Sequence, residues 1–503
     1  MEACPMDNKP HIVLITTDQM RGDLMGCAGN TRIQTPHIDY LARSGVRFDQ
    51  AYSLTPVCIP ARATIMTGLE GHRLGLTTYK EGYALPTNLT LPKLLNDAGY
   101  ETRVVGKMHV YPERCHYGFD SMLLCEEGRM LGVGSGKQRG YDDYEQWVAE
   151  QGYPGQAFGH GIANNEYTMS PWHLPDSLHP TEWIADNSCR TIKRRDWTRP
   201  LFLWASFTAP HPPLTPLMRD LYTYEKDDMP QPVWGDWADR HSLYHQRMAV
   251  TYQGKLKTPK QIDSAYRGFY ASITQVDRAI NRIIGTLREE GILENTWFLF
   301  TSDHGDNMGD HGLWFKANFT RGACQIPLIV TPPAKRDTGS VLEAGWVPGQ
   351  VNHSPVGLQD ILPTCLAIAG ISVPEDLDGT SLLGAVRQPK MDRVRETVLG
   401  EFGPMGKRSL MVTDGIWKYI WFEEEGEELL FHIKDDPQEL HDRSRDPLAP
   451  LEEWRNRLAF KLGKRLSDSA VSNGMLRPRQ LLPELSEFER ALLISHYNPR
   501  GLH

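Results

Sequence analysis

The first 370 residues alternate short strand-like apolar runs with helical patterns, and this alternation restricts the fold more than any other feature of the chain. The first run, 11–16, is β-branched and ends in the polar residues Thr17, Asp18 and Gln19. Similar runs occupy 101–105, 201–205, 297–301 and 327–330, and helical patterns occupy 90–98, 264–290 and 358–369. Strands that alternate with helices predict a mainly parallel, layered α/β domain. Ligands bind such sheets at the carboxyl ends of the strands.

The pattern changes after Gly370. Closely spaced strand-like runs at 398–402, 409–413, 417–421 and 428–432 precede a helical pattern at 450–466. They predict a small antiparallel α+β subdomain packed on the first domain. We therefore expect a catalytic α/β domain over 1–375, a C-terminal subdomain over 376–470 and a wrapping tail over 471–503, with a helical pattern at 485–495.

Three long regions show no clear pattern, and loops of such length in a compact domain are usually functional. These regions are 111–180, 212–261 and 332–355. The first two are rich in Trp, Tyr and His, which could line a substrate pocket; the alternative is ordinary packing of surface loops.

Charge and cysteine content restrict the partners and the compartment. The 503 residues include 54 Lys and Arg against 63 Asp and Glu, a net charge of −9 without long runs of one sign. This balance argues against nucleic acid and anionic lipid and favours a small-molecule partner. No apolar stretch approaches the roughly 18 residues of a membrane span, and the N-terminus lacks a signal-peptide pattern. The eight cysteines show no paired spacing, as in reducing compartments, so we expect a cytoplasmic location.

One segment combines a nucleophile with an anion-binding arrangement. Cys58 is followed by Pro60 and Arg62, and then by an apolar helical run that ends at Gly68. The N–H groups at the start of that helix and the Arg62 guanidinium would attract an anion beside the thiol.

This segment resembles the C-x-P-x-R signature of the formylglycine-dependent sulfatases, which belong to the alkaline-phosphatase-like superfamily. In that family a dedicated enzyme oxidises the cysteine to formylglycine. Further family motifs follow in order along the chain: Asp18-Gln19, Gly106-Lys107-Met108-His109, His211-Pro212-Pro213, Asp303-His304-Gly305 and Lys316. Gln34–Asp39 and Asp378–Leu382 resemble two more family landmarks. The resemblance implies a large alkaline-phosphatase-like domain with a mainly parallel sheet between helices, and a smaller C-terminal α+β subdomain with an antiparallel sheet.

The resemblance also implies one bound divalent cation. The implied ligands are Asp18, Gln19, the formylglycine at Cys58, Asp303 and His304. Oxygen-dominated coordination suits a hard ion, so we expect Ca²⁺, with Mg²⁺ and Mn²⁺ left open.

The remaining motif residues take catalytic roles by the same resemblance. Arg62, Lys107 and Lys316 would stabilise the anionic transition state as fixed cations. One hydroxyl of hydrated formylglycine attacks sulfur, and the other, once deprotonated, expels sulfate and regenerates the aldehyde. His109 would help to deprotonate that second hydroxyl, and His211 would protonate the leaving alcohol.

The sequence thus predicts a sulfatase that acts on a sulfate ester of a small organic or sugar substrate. The pairs Asp18-Gln19 and Asp303-His304 also occur in relatives such as phosphonate monoester hydrolases and choline-sulfatase-like enzymes, so a phosphonate monoester hydrolase or phosphodiesterase is one alternative. A non-catalytic anion-binding relative is another, although the nucleophile and the metal ligands are retained here. The expected protein partner is a formylglycine-generating or anaerobic sulfatase-maturating enzyme, and a homo-oligomer is left open.

Overall fold

The computed structural model describes residues 9–127, 142–226, 228–240, 242–252, 258–333, 347–388, 393–465 and 468–479. The strands in these ranges are β1 (His11–Asp18), β2 (Val46–Phe48), β3 (Ala51–Tyr52), β4 (Glu101–Gly106), β5 (Ser121–Leu124), β6 (Leu201–Pro210), β7 (Thr296–Ser302), β8 (Leu328–Thr331), β9 (Gln350–Asn352), β10 (Val356–Gly357), β11 (Val398–Phe402), β12 (Ser409–Thr413), β13 (Lys418–Phe422), β14 (Glu428–Phe431), β15 (Val471–Ser472) and β16 (Met475–Leu476). The helices are α1 (Pro36–Ser44), α2 (Cys58–Thr67), α3 (Gly71–Leu74), α4 (Leu91–Asp97), α5 (Asp143–Glu150), α6 (Pro180–Lys193), α7 (Met218–Tyr222), α8 (Leu243–Tyr252), α9 (Pro259–Glu289), α10 (Arg321–Cys324), α11 (Ile361–Ile368), α12 (Leu383–Arg387) and α13 (Leu451–Gly463).

The large sheet has the strand order β5-β4-β6-β1-β7-β8-β2-β9. Five neighbouring strands of this sheet run parallel to one another, which confirms the predicted α/β layering; they are β5, β4, β6, β1 and β7. Alternate side chains of β1 enter two different cores: Val13 and Ile15 pack in the cluster that contains α6 and α9, whereas Ile12 and Leu14 pack in the cluster that contains α2, α4 and α11. The sheet is therefore buried on both faces, as its nearly continuous apolar strands predict.

Strand β8 departs from the prediction, because it runs antiparallel to its neighbours β7 and β2. A parallel strand needs a crossover that returns the chain to the opposite edge of the sheet, usually through a helix. The segment between β7 and β8 contains only a 3₁₀ turn at Asp310–Gly312 and the short helix α10. It stays at the carboxyl edge of β7, so the chain enters β8 from that edge and reverses its direction.

The three regions without a clear sequence pattern contain regular elements. Residues 111–180 hold β5 and α5, 212–261 hold α7, α8 and the start of α9, and 332–355 hold β9. These elements are short, and their apolar residues are too few to establish a period. Aromatic residues of the first two regions pack in cores: Tyr144 of α5 lies in the cluster that contains α6 and α9, and Trp237 contacts Phe431 of the C-terminal sheet.

The C-terminal sheet is the predicted antiparallel meander, with the order β11-β12-β13-β14. One face packs on the large domain in a cluster that includes Tyr52, Leu313 and Phe319. The other face is covered by Trp454, Leu458 and Leu462 of α13. The domain boundaries at 375 and 470 stay a prediction, and the helical pattern at 485–495 lies outside the described residues. Among the described helices, none is both long enough and apolar enough to cross a bilayer.

Candidate active site

The predicted site residues converge at the carboxyl ends of four neighbouring strands. Asp18 is the last residue of β1, and Asp303 directly follows β7. The pairing of Thr17 with Ser302 places these two carboxylates side by side. Lys107 follows β4, and His211 follows β6, on the other side of β1.

Helix α2 brings the cysteine and the arginine to this edge. Cys58 is its first residue and Arg62 lies one turn later, so both side chains point toward the same site. The Arg62 guanidinium is buried, and its Nε donates to Oδ2 of Asp303 at 2.9 Å. Its Nη2 donates to Oδ2 of Asp18 at 3.3 Å, and its Nη1 donates to the Lys107 carbonyl at 2.7 Å. Arg62 therefore ties the helix to three strand ends.

Four potential metal ligands lie together at the centre of the site. The ligand atoms of Asp18, Cys58, Asp303 and His304 all lie within 4.8 Å of one another, and all four residues are buried. Nε2 of His304 is 3.2 Å from Sγ of Cys58 and 3.7 Å from Oδ1 of Asp18. Nδ1 of the same ring contacts the Gly305 carbonyl at 3.0 Å, so it carries the proton and Nε2 is the nitrogen that can bind a metal.

Gln19 reaches the edge of this group through a different set of contacts. Its side-chain oxygen accepts a hydrogen bond from Nζ of Lys316 at 2.5 Å. Its amide donates to the carboxylate of Asp306. Its role as a metal ligand stays a prediction, because these contacts orient the side chain without showing coordination.

Two lysines flank the cysteine. Nζ of Lys107 lies 2.6 Å from Oδ2 of Asp18 and 2.6 Å from Oε2 of Glu127. Nζ of Lys316 lies 3.5 Å from Sγ of Cys58. The Lys107 side chain is fully buried, and Lys316 is 2% exposed, so their charges act with little solvent screening.

These cations control the ionisation of the central groups. Burial raises the pKa of Asp18, but Lys107, His211 and Arg62 more than offset this and hold it well below its usual range. Burial and the Asp18 carboxylate also raise the pKa of the unmodified Cys58 thiol, whereas Lys316, Lys107 and His304 lower it to about 7. The site as a whole therefore stabilises negative charge at position 58.

The two remaining predicted histidines have different surroundings. Nδ1 of His211 contacts the Pro212 carbonyl at 2.6 Å and lies 3.8 Å from Oε1 of Glu127. The His109 ring packs against the rings of Tyr79 and Tyr111, with centroids 5.9 and 6.1 Å away. His211 thus lies near Glu127, which also contacts Lys107, whereas the His109 ring packs against two tyrosine rings.

Sequence reasoning missed three acidic residues that organise the site. Glu126 and Glu127 follow β5, and Glu126 accepts the N–H groups of Met108 and His109 at 2.8 and 3.0 Å. Asp306 accepts hydrogen bonds from Gln19 and Tyr167. A usable signal existed for the first two, because Ser121–Leu124 is an apolar run followed by carboxylates, just as β1 is followed by Asp18. No comparable signal marks Asp306 or Tyr167, whose hydroxyl donates to it.

The two additional landmarks are structural. Asp39 accepts the N–H of Cys27 at 2.7 Å and the hydroxyl of Thr35 at 3.2 Å, which fixes the start of α1. Asp378 accepts the N–H of Glu70 at 2.8 Å and pairs with Arg73. Both stabilise loops around the large sheet.

A cavity of about 390 Å³ adjoins the site through Glu127 and His211. Its wall is largely apolar and includes Phe158, Ile162 and Trp172. Among the described residues that line it, none is Lys or Arg. A larger cavity of about 510 Å³ has none of the predicted site residues among its lining residues.

Comparison with known proteins gives consistent matches along the chain. The family profile described as Sulfatase matches residues 10–371, and one described as N-sulphoglucosamine sulphohydrolase, C-terminal, matches residues 309–465. An arylsulfatase of Clostridium perfringens is 35% identical over 462 residues, 90% of this chain and 92% of that protein. A choline-sulfatase of Rhizobium meliloti is 30% identical over 494 residues, 93% of this chain and 90% of that protein.

A solved structure extends the comparison to the fold. The phosphonate monoester hydrolase of Agrobacterium radiobacter aligns with a TM-score of 0.74 at 23% identity, over 90% of this chain and 95% of that one. This likeness confirms the predicted architecture of a large, mainly parallel α/β domain with a smaller antiparallel C-terminal sheet.

Proposed function

The chain belongs to the sulfatase family and is a sulfuric ester hydrolase, and on that premise we propose that it acts through a formylglycine formed from Cys58 and one divalent cation. The observation that carries this proposal is the group of four buried donor atoms within 4.8 Å, one of which is the Cys58 sulfur itself. Position 58 therefore lies beside the proposed metal ligands and beside the positively charged side chains that would bind the sulfate group, such as Lys316.

The donor set fits a divalent cation. Asp18 and Asp303 supply two buried carboxylates, and His304 supplies a ring nitrogen whose tautomer is set by the Gly305 carbonyl. Two carboxylates among mostly oxygen donors suit Ca²⁺, which we propose as the ion, or Mg²⁺ and Mn²⁺. When bound, such an ion polarises the oxygens of the sulfuryl group. We propose Gln19 as a further ligand.

The three buried cationic side chains, Lys316, Lys107 and Arg62, have different roles in binding the sulfate group. Lys316 lies on the Cys58 side, 3.5 Å from its sulfur, where it stabilises negative charge on the nucleophile. Lys107 lies on the Asp18 side. Arg62 holds both carboxylates and the Lys107 carbonyl in place, so it fixes the geometry of the site as well as its charge.

We assign proton transfer to the two histidines. His211 borders the cavity next to the site, so we place it at the bridging oxygen, where it protonates the leaving alcohol. His109 shares the loop after β4 with Lys107, and Glu126 holds the backbone of that loop. We assign it the deprotonation that allows sulfate to leave.

The same cavity supports a proposal for the substrate. Its wall combines apolar residues with uncharged polar ones such as Asn164 and Thr215, and none of its described lining residues is Lys or Arg. This lining favours an uncharged leaving group over a saccharide that carries further sulfate or carboxylate groups. We therefore propose small organic sulfate esters as the preferred class, with unsubstituted sugar sulfates next.

A second candidate is hydrolysis of phosphonate monoesters or phosphodiesters at the same site. It is supported by the fold shared with a phosphonate monoester hydrolase. Sulfate monoesters and phosphate diesters carry the same single negative charge, so the electrostatics described above accept both.

We further propose a cytoplasmic location and maturation by a formylglycine-generating or anaerobic sulfatase-maturating enzyme. The seven cysteines within the described residues are all free thiols, which fits a reducing compartment. Fractionation of the native host and blotting of the fractions would test the location.

The function is tested by steady-state release of sulfate. The protein is produced together with a maturating enzyme, and sulfate is measured after incubation with an aryl sulfate, an alkyl sulfate and a sulfated sugar. Cys58→Ala, made in the same way, is the matched control. Metal-dependent sulfate release by the wild type but not by the control supports the proposal, and equal release by both contradicts it.

A further inference from the structure

Glu127 connects two groups that we place on the substrate. Its Oε2 lies 2.6 Å from Nζ of Lys107, and its Oε1 lies 3.8 Å from Nδ1 of His211. The side chains of Lys107 and His211 are fully buried, whereas that of Glu127 is 12% exposed. The Glu127 carboxylate thus faces both the Lys107 ammonium, which lies beside Asp18, and the His211 ring, which borders the cavity.

We propose that Glu127 is a positioning residue for protonation of the leaving group, acting through His211 while it holds Lys107. This inference rests on the proposed function. It adds to the site a residue that lies outside every motif singled out in the sequence.

The first step of the argument concerns charge. Lys107 is fully buried, and a buried ammonium needs a carboxylate partner, because an unpaired buried charge is strongly destabilising. We also propose Asp18 as a ligand of the divalent metal ion, so its negative charge is shared between that ion and Lys107. Glu127 gives Lys107 a second carboxylate and thereby keeps the ammonium in place.

The second step concerns the His211 ring. Its Nδ1 contacts the Pro212 carbonyl at 2.6 Å, and a carbonyl only accepts, so Nδ1 carries a proton. Nε2 is therefore the nitrogen that exchanges a proton with the leaving oxygen. Glu127 at 3.8 Å is beyond a hydrogen bond and acts on the ring through its charge. A negative charge there compensates the positive ring that is present before proton transfer.

The third step concerns location. Both Glu127 and His211 line the cavity of about 390 Å³, whereas Lys316 contacts the Cys58 sulfur. Glu127 is thus on the side where the alcohol departs. In the step itself, a hydroxyl oxygen of hydrated formylglycine at position 58 bonds to sulfur and loses its proton to solvent, while the bond from sulfur to the bridging oxygen breaks. The electron pair of the broken bond goes to the bridging oxygen, which takes the proton from Nε2 of His211. The ring later recovers a proton from water.

The test is the dependence of kcat/KM on the pKa of the leaving alcohol, measured with aryl and alkyl sulfates. Glu127→Gln keeps the shape and removes the charge. We expect a loss that grows with the pKa of the alcohol and is about tenfold or more larger for an alkyl than for a nitrophenyl ester, within the 10²–10⁴-fold range of general-acid help. In the His211→Ala background, the added loss from Glu127→Gln should no longer depend on the leaving group.

The matched control is Glu126→Gln, at the same strand end. Glu126 contacts the backbone of Met108 and His109, so this change should lower activity by one factor for all esters. If Glu127→Gln does not fold, as judged by its melting curve, Glu127→Asp keeps the charge but retracts it by one methylene and should show a smaller loss with the same dependence.

Two results would overturn the proposal: a loss from the Glu127 variant that is equal for all leaving groups, or a leaving-group dependence that persists in the His211→Ala background. The activity of the wild type distinguishes failure of this inference from failure of the proposed function, because in the first case the wild type still releases sulfate. If the matured wild type releases no sulfate from any ester, the proposed function is wrong and this inference falls with it.

Discussion

Nζ of Lys316 lies 3.5 Å from Sγ of Cys58, although 258 positions separate the two residues in the chain. The contact exists because the segment after β7 stays at the carboxyl edge of the sheet and reaches the first residue of α2. Lys316, Lys107 and His304 together outweigh the effects of burial and of Asp18 on the thiol. Position 58 is therefore an electropositive point in a buried site.

The unmodified protein should contain a thiolate near neutral pH. With Cys58 unmodified and the metal removed, the thiol should titrate with a pKa of about 7. Because the cation stabilises the thiolate, Lys316→Met should raise this pKa. The measurement is the thiolate absorbance near 240 nm as a function of pH, with Cys58→Ala subtracted. An unchanged titration in Lys316→Met would contradict the assigned electrostatics.

Asp18 and Asp303 should both be required for the metal. Each supplies a buried carboxylate to the donor group, so Asp18→Ala and Asp303→Ala should each lose the ion and lower kcat by about 10²–10³-fold or more, the range for loss of a major electrostatic group. Metal content by elemental analysis is read beside turnover. Asp196 is an exposed carboxylate outside the site, so Asp196→Ala serves as the control and should keep both the bound metal and normal turnover. Stoichiometric metal with normal turnover in either site variant would refute the site.

Cys58 should be converted to formylglycine in the active protein. The change of the CH₂–SH side chain to an aldehyde, CH=O, lowers the mass by about 18 Da, which mass spectrometry of the peptide detects. Cys58→Ala should be inactive, and Cys58→Ser should stall because a single hydroxyl cannot expel sulfate by forming an aldehyde. Full multiple-turnover activity in the alanine variant would end the covalent mechanism.

Much of this site could be predicted from the sequence because its residues follow recognisable strands. Asp18, Lys107 and Asp303 each end or follow an apolar run, and parallel strands gather such ends at one edge. Cys58 and Arg62 are one helical turn apart, so their shared direction also follows from the sequence.

The remainder depended on tertiary structure. The apolar run of β5 marks carboxylates at a strand end, but its four residues do not show that β5 pairs with β4, and that pairing brings Glu127 beside Lys107. The direction of β8 follows from where the preceding loop runs, and no property of its four residues indicates it. Tyr167 contacts Asp306 across 139 positions, and neither residue lies in a periodic element.

The two histidines should differ in their dependence on the leaving group. Since His211 borders the cavity, His211→Ala should slow alkyl and sugar esters far more than activated aryl esters, with losses of roughly 10²–10⁴-fold for the poorest leaving groups. His109→Ala should lower turnover by a similar factor for all. Leaving-group series on both variants decide this. An equal loss across the series for His211→Ala would favour positioning of the sulfuryl group over acid catalysis.

The central claim, that this site is a sulfatase site, is tested most directly by comparing two ester types on one preparation. The measurement is kcat/KM of the matured, metal-loaded protein for 4-nitrophenyl sulfate and for a 4-nitrophenyl phosphonate monoester, which share a leaving group and a single negative charge. We predict that the sulfate is the better substrate and that both activities vanish in Cys58→Ala. A higher kcat/KM for the phosphonate, lost in the same variant, would contradict the account and identify a phosphonate monoester hydrolase.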